Sequence, residues 1–366
     1  MRRRTLAIAA ATVLATGVLA GCGGPAGTDA GPAAAEVPRV GVILPDSSAG
    51  ARWESADRRY LTEAFRSAGV EYDIRNAQGD KAQFRSLADD MLADGVDVLM
   101  IVSLDPATGR AVLDQAKAKG VATVDYDRLT VGGSASYHVS FDSERAGRLQ
   151  GEGLVRCLKT ADDAKPVVAY LNGAPGDHSA VLLRRGYDAV LRPRFAAGEL
   201  AKGPERSVPA WDPARARSLF TQMLAQADGD IDGVLSANDD LGAAALSVLR
   251  KRSLDDVPVT GQDASLAGLR NVLAGQQCVT VYKAIGRLAR AAADVAVALA
   301  RGEKADPARF LRDPQSGRQV PAVLLEPRAI TKANLKVVVD DGLVTPGDLC
   351  GGDFAELCKT AGITPP

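Results

Sequence analysis

From Arg39 onward the chain alternates short apolar runs with longer segments of helical period. Arg39 to Leu44, Glu71 to Asn76, Val98 to Val102 and Val121 to Tyr126 read as strands. Between them, Trp53 to Ala68, Asp80 to Asp94 and Ala107 to Lys119 place apolar residues three and four apart. Each of these segments stops at a glycine (Gly69, Gly95, Gly120), as helices do where the chain must turn left-handed. A helix over Ser143 to Leu158 follows, and the alternation starts again. Strands are expected at Val167 to Leu171, Gly233 to Ser236, Val257 to Gly261 and Val279 to Tyr282. Helices are expected at His178 to Leu191, Pro213 to Ala227, Leu241 to Arg250, Leu266 to Ala274 and Ala284 to Arg301. Val323 to Leu325 reads as a late strand and Lys332 to Asp340 as a late helix.

Strict alternation of strand and helix predicts parallel sheets covered by helices on both faces. With 366 residues the chain is too long for one compact core, and the pattern runs twice. The fold class expected is therefore α/β, with two doubly wound parallel-sheet lobes, a hinge and a ligand cleft between them. Ligands of such sheets bind beyond the carboxyl ends of the strands, and two lobes bring two such edges across one cleft.

The residues at those edges carry the chemistry. Pro45-Asp46 and Arg52-Trp53 follow the first strand, and Asp127-Arg128 follows Tyr126. Asn172-Gly173 and then Asp177-His178 follow Leu171. Asn238-Asp239 follows Ser236, Gln262-Asp263 follows Gly261, and Lys283 follows Tyr282. Asp and Asn in such places also cap helices; Asp239 would serve the helix at Leu241 and Asp177 the one at His178. Capping alone does not call for Arg and Lys at the same edges. A sugar does, because each hydroxyl both donates and accepts, and charge-assisted bonds in a closed cleft are the strong ones. Sugars also present C–H faces that pack on aromatic rings, and the chain has two tryptophans, Trp53 and Trp211.

Composition narrows the choice. Forty-four basic residues against 45 acidic ones give a net charge of -1, which offers no footprint for nucleic acid. His138 and His178 are far apart and stand outside any paired-cysteine context, so no metal is expected; no cofactor motif is present either. Met1-Arg2-Arg3-Arg4 precedes an apolar stretch to Ala20, and Leu19-Ala20-Gly21-Cys22 resembles the lipobox of bacterial lipoproteins. Cys22 would take the lipid, and the Gly-, Ala- and Pro-rich segment 23–36 would be a flexible tether. Four cysteines remain. Cys350 and Cys358 flank a short Gly-rich turn and are candidates for a local disulfide. Cys157 and Cys278 then either pair or stay as separate buried thiols, since four cysteines allow three connectivities.

From Pro38 to Thr345 the chain resembles the D-xylose-binding proteins of bacterial ABC sugar importers, of the periplasmic binding protein type I fold. The resemblance is carried by Arg52-Trp53, Tyr126-Asp127-Arg128, Ser140-Phe141-Asp142, Ser236-Ala237-Asn238-Asp239, Gly261-Gln262-Asp263-Ala264 and Thr280-Val281-Tyr282-Lys283, in that order. Val320 to Leu325 and Thr331 to Leu335 extend it. It implies that Arg52, Asp127, Arg128, Asn238, Asp263 and Lys283 bond the sugar, that Asp177 and Ser179 add contacts from the second lobe, and that Trp53 and Trp211 sandwich the ring. It further implies a monomer, not an enzyme, that binds a monosaccharide, most simply D-xylose, closes on it and hands it to an ABC permease at the extracytoplasmic face of the membrane. Crossings near Asp142, Tyr282 and Leu325 would divide the chain into lobes of residues 37–142 plus 283–324 and 143–282 plus 325–366, after a signal and lipobox over 1–22. The rival readings are a binder of another pentose or hexose, a sugar presenter to a chemoreceptor, a sugar-sensing repressor and an exported glycosidase. A repressor needs an N-terminal DNA-binding segment where this chain has its lipobox. A glycosidase needs a carboxylate pair at a spacing nothing in the chain imposes.

Overall fold

The computed structural model describes residues 37–46, 52–158, 165–307 and 309–364. The lipobox, with Cys22, and the tether lie outside the described residues. In chain order the elements are β1 (Arg39–Leu44), α1 (Arg58–Ala68), β2 (Glu71–Asn76), α2 (Lys81–Ala93), β3 (Val98–Ile101), α3 (Pro106–Ala118), β4 (Ala122–Tyr126), β5 (Tyr137–Phe141) and α4 (Ser143–Leu158). Then come β6 (Val167–Asn172), α5 (His178–Ala196), β7 (Ala201–Ser207), α6 (Pro213–Gln226), β8 (Gly233–Ser236), α7 (Asp239–Arg250), β9 (Val259–Gln262), α8 (Leu266–Leu273), β10 (Gln277–Tyr282) and α9 (Ile285–Ala300). The last elements are β11 (Arg309–Arg312), β12 (Gln319–Leu325), β13 (Arg328–Ile330), α10 (Lys336–Asp340), α11 (Pro346–Leu349) and α12 (Ala355–Thr360).

The strands form two sheets, in the orders β11-β12-β5-β4-β3-β1-β2 and β13-β10-β9-β8-β6-β7. All pairings are parallel except those of β11 with β12 and of β13 with β10, at one edge of each sheet. These are the two α/β lobes the alternation predicts. The chain leaves the first sheet after β5, and α4 packs its Ala146, Leu149 and Leu154 into the core of the second. It returns after β10, where Ile285, Leu288 and Ala292 of α9 join the first core. It crosses a third time between β12 and β13.

Local chemistry sets most element ends. Asp80, Asp105, Asp177, Asp212, Asn238 and Ser265 each accept a first-turn backbone N–H at the start of a helix. Asp177 caps α5 as the sequence suggests, but at α7 the cap is Asn238, not Asp239: Asp239 is the first helical residue and its side chain is committed elsewhere. Gly69 closes α1 with φ 68°. The expected helix at Trp53 begins with a π-helical turn over Trp53–Asp57 before α1 proper. The expected late helix is shorter, starting at Lys336 after turns. Four strands were not foreseen. Three lie at sheet edges: β7 carries Pro204 and four charged or polar residues, β11 is mostly exposed, and β13 has only three residues. An edge strand buries little, so it shows no hydrophobic period. The fourth, β5, is fully buried but alternates its apolar residues with His138 and Ser140.

Cys157 at the end of α4 is joined to Cys278 at the start of β10, and Cys350 to Cys358 beside α12, with Cα separations of 6.3 and 5.7 Å. The first bond ties residues 121 apart, a span for which chain entropy alone gives about 4–5 kcal/mol. Among the described residues no helix is long and apolar enough to cross a membrane. Alkylation of the denatured protein, in a form starting after Cys22, should add no label without reductant and label all four cysteines after reduction. Labelling without reductant would show free thiols.

Candidate functional site

Two of the strands end in the same way. Asp127 follows β4 with φ 62° and Asp263 follows β9 with φ 92°. Each donates its backbone N–H to the next strand, Asp127 to Val139 O at 2.8 Å and Asp263 to Val281 O at 2.9 Å. Left-handed backbone at a residue other than glycine costs about 1–3 kcal/mol and persists only where the surroundings hold it. Here the bend turns a carboxylate out of each sheet, one from each lobe, into a cavity of about 340 Å³ between them.

The carboxylates meet two cations. Lys283 Nζ lies 3.0 Å from Asp263 Oδ1 and 3.8 Å from Asp127 Oδ1. The Arg52 guanidinium lies 3.5 Å from Asp127 Oδ1 and 3.7 Å from Asp263 Oδ1. Burial pushes the Asp127 carboxyl up, but Arg52, Lys283 and Arg128 more than offset it and hold it well below the usual carboxylate range. Lys283 approaches Asp263 outside hydrogen-bond geometry, so buried Oδ1 retains its acceptor capacity.

Arg52 is aimed from behind. Asp57, one π-turn further on, takes its Nε at 2.9 Å and its Nη2 at 3.0 Å, and the same carboxylate accepts the Tyr126 hydroxyl at 2.8 Å. Asp57 has no exposure at all. The sequence reading passed it over because it sits on the inner face of a helical turn, away from any strand end. The Arg52 guanidinium also lies 4.3 Å from the Trp53 ring centroid, and that of Arg128 lies 5.6 Å away, so Trp53 backs both cations.

A second group closes the other side. Asp177 Oδ1 accepts the backbone N–H of Ser179 at 2.9 Å, and the Ser179 hydroxyl donates to the same oxygen. Asp177 Oδ2 accepts Trp211 Nε1 at 3.1 Å and faces Arg128 Nε at 3.4 Å. Arg128 comes from the first lobe and Asp177 from the second, so this pair spans the cleft. Trp211 stands on two successive left-handed residues, Ala210 and Trp211, both with φ 56°. Its ring rests on Gly173, where a methyl group would lie 2.2 Å from Cη2. Only glycine admits the indole that close.

Asn238 lines the cavity while its Oδ1 caps α7 through Leu241 N at 2.9 Å, which leaves its NH₂ as the group able to donate to a ligand. Behind it Asp239 accepts Gln277 Nε2 at 2.7 Å, Ser265 N at 2.8 Å and the Thr280 hydroxyl at 3.1 Å. Burial lifts that carboxyl to about 7, its role being to bind α7, α8 and β10 together. All ten candidates, Arg52, Trp53, Asp127, Arg128, Asp177, Ser179, Trp211, Asn238, Asp263 and Lys283, therefore line one cavity. Ser140, Asp240 and Gln262 line it too. Ser140 Oγ donates to Asp127 O at 2.7 Å, and the Asp240 carboxyl is raised by burial and by Asp263. Among the described residues no group of His, Cys, Asp and Glu is arranged to hold a metal ion.

Because Trp53 and Trp211 are the only tryptophans, a Trp53→Phe background isolates Trp211 as a fluorophore. Adding Gly173→Ala should lift the indole off the backbone and shift its emission to the red. An unchanged spectrum would show that the ring does not rest on Gly173.

Comparison with known proteins places the chain. A family model described as "Periplasmic binding protein domain" matches residues 40–304. D-xylose-binding periplasmic proteins of Haemophilus influenzae and Escherichia coli are each 32% identical to it, over 298 and 302 residues; the alignments cover 80% and 81% of this chain and 87% and 88% of theirs. An ABC transporter solute-binding protein of Clostridium phytofermentans, solved with bound β-D-glucose, superposes with a TM-score of 0.78 at 27% identity, covering 85% of this chain and 99% of that one. The chain belongs to the periplasmic binding protein family, on the branch that holds the D-xylose-binding proteins of bacterial ABC sugar importers.

Proposed function

We propose that this protein binds one D-xylose between its lobes, closes on it, and presents it to the permease of an ABC importer as a monomer held to the extracytoplasmic face of the membrane through Cys22. The observation that carries the reading is the pair of strand-end carboxylates, Asp127 and Asp263, aimed from opposite lobes at Arg52 and Lys283. A pyranose entering there meets fixed acceptors and fixed donors at once, and each hydroxyl uses both. Ligand contacts to both lobes favour the closed arrangement over the open one by the free energy of those contacts, which is all that closure requires.

The cations favour a binder over a glycosidase. Arg52, Lys283 and Arg128 hold the Asp127 carboxyl well below the usual carboxylate range despite its burial, so it accepts, whereas a general acid must keep its proton at working pH. The choice of D-xylose rests on the relatives of that name at 32% identity. The glucose bound by the Clostridium phytofermentans protein makes hexoses the natural competitors in any test.

The melting temperature of residues 23–366 should rise with D-xylose by more than with D-glucose, D-ribose or D-galactose. A ligand at a hundredfold excess over its dissociation constant adds about 2.7 kcal/mol. A larger rise with another sugar would replace D-xylose and keep the mechanism; no rise with any sugar would overturn the reading. Arg52→Ala and Asp263→Ala should each weaken binding by about 2–5 kcal/mol in calorimetry, the first because buried Asp57 loses its cation and the second because the ligand loses a charged acceptor. Asp57→Asn should weaken it by about 1–3 kcal/mol although Asp57 has no surface in the cleft, because Arg52 loses its charged brace. Unchanged affinity would show that Arg52 is aimed without Asp57.

A further inference from the structure

Arg128, Asp177 and Trp211 do more than close the ligand cleft. All three also line a second cavity of about 290 Å³, nearly the size of the first. They are a partition between two chambers of similar volume. Beyond it lie Ser103 and His178, which can bond hydroxyls, and Leu104, Leu129 and Pro175, which offer apolar surface. That mixture is the one a hydroxylated ring needs.

Within the partition Asp177 is held by Ser179 and Trp211, but Arg128 is loosely held. Arg128 Nε stands 3.4 Å from Asp177 Oδ2, and Arg128 Nη1 stands 3.4 Å from Ser103 O. Strong charge-assisted bonds run at about 2.7–2.9 Å, so neither contact is near its optimum. Trp211 stands on two consecutive residues in the left-handed region, neither of them glycine, a conformation with a local cost that a shift of the segment would release. Arg52 offers the contrast, being clamped by Asp57 at 2.9 and 3.0 Å. Arg52 is held by short bonds, and Arg128 is held by long ones that a ligand's hydroxyls can replace.

We propose that the second cavity is a subsite for a second sugar ring, so that the protein takes disaccharides as well as monosaccharides. One ring occupies the cleft between Asp127 and Asp263. The other lies beyond the partition, with its hydroxyls replacing the long Arg128–Asp177 contact. The proposal rests on the sugar-binding reading of the cleft and extends its ligand class.

Calorimetry with D-xylose and with its β-1,4-linked disaccharide tests it, on the wild-type protein and on Ala174→Phe. Ala174 lines the second cavity and not the first, so phenylalanine there fills the subsite alone. The wild-type protein should bind both sugars. Ala174→Phe should keep its D-xylose affinity within about twofold, which also shows that it folds, and lose at least about tenfold for the disaccharide. If the variant loses D-xylose as well, Leu104→Trp, on another wall of the same cavity, takes its place under the same criteria. D-xylose binding without disaccharide binding overturns the subsite and leaves the function standing. Disaccharide binding that neither variant weakens also overturns it. If neither binds and another monosaccharide raises the melting temperature, the same variants are read with that sugar and its β-1,4-linked disaccharide; if no sugar raises it, the sugar reading and the subsite fall together.

Discussion

Charge balance in a largely buried cleft constrains this molecule more than any other interaction. Arg52 sits among Asp57, Asp127 and Asp263, and Lys283 between the last two. A buried charge left without a partner costs several kcal/mol, so none of these groups can be removed or moved far alone. The division of labour follows from distance. Asp57 holds Arg52 in short bidentate bonds and is sealed from solvent, so it positions. Asp127 and Asp263 stand further off and face the cavity, so they remain available to a ligand.

Asp127, Trp211, Asp263 and Ala264 lie at the cleft with left-handed backbone, and none of them is glycine. In Asp127 and Asp263 the strain is held by the same hydrogen bond to the neighbouring strand, in lobes built on the same plan. Each sheet supplies a rigid edge, and the first residue beyond it is forced to turn its side chain outward. The second lobe is braced further by Asp239, which links α7, α8 and β10 behind the cleft. The disulfide from α4 to β10 joins the helix by which the chain enters that lobe to the strand by which it leaves. The proposed closure would then move two stiff bodies about three crossings without deforming either.

Lobe-to-lobe contact is uneven across the cleft. On one side Arg52 and Lys283 reach Asp263 from a braced base. On the other, Arg128 and Asp177 meet at 3.4 Å beside a strained tryptophan.

The α/β class, the two lobes and the strand-end residues of the cleft were legible in the sequence because each rests on a local rule, while Ser179 came only with the family resemblance. Parallel strands buried on both faces read as apolar runs, helices announce themselves by period and by terminal glycines, and ligand groups of such sheets follow the strands directly. Edge strands β7, β11 and β13 were not legible, because a strand with one neighbour and an exposed face need not be apolar. The cap of α7 could not be assigned between Asn238 and Asp239, adjacent residues that serve equally well until the core claims one of them. Asp57 was invisible for a similar reason: its contact with Arg52 depends on a π-helical turn that an ordinary helical period does not announce, and only the fold brings Tyr126 to it. The pairing of Cys157 with Cys278 and the second chamber behind Arg128 belong to the same class. The sequence by itself determined which residues stand at the strand ends. The tertiary structure decided which of them are clamped and which are free to meet a ligand, because that depends on distances between groups brought together only by the packing of two lobes.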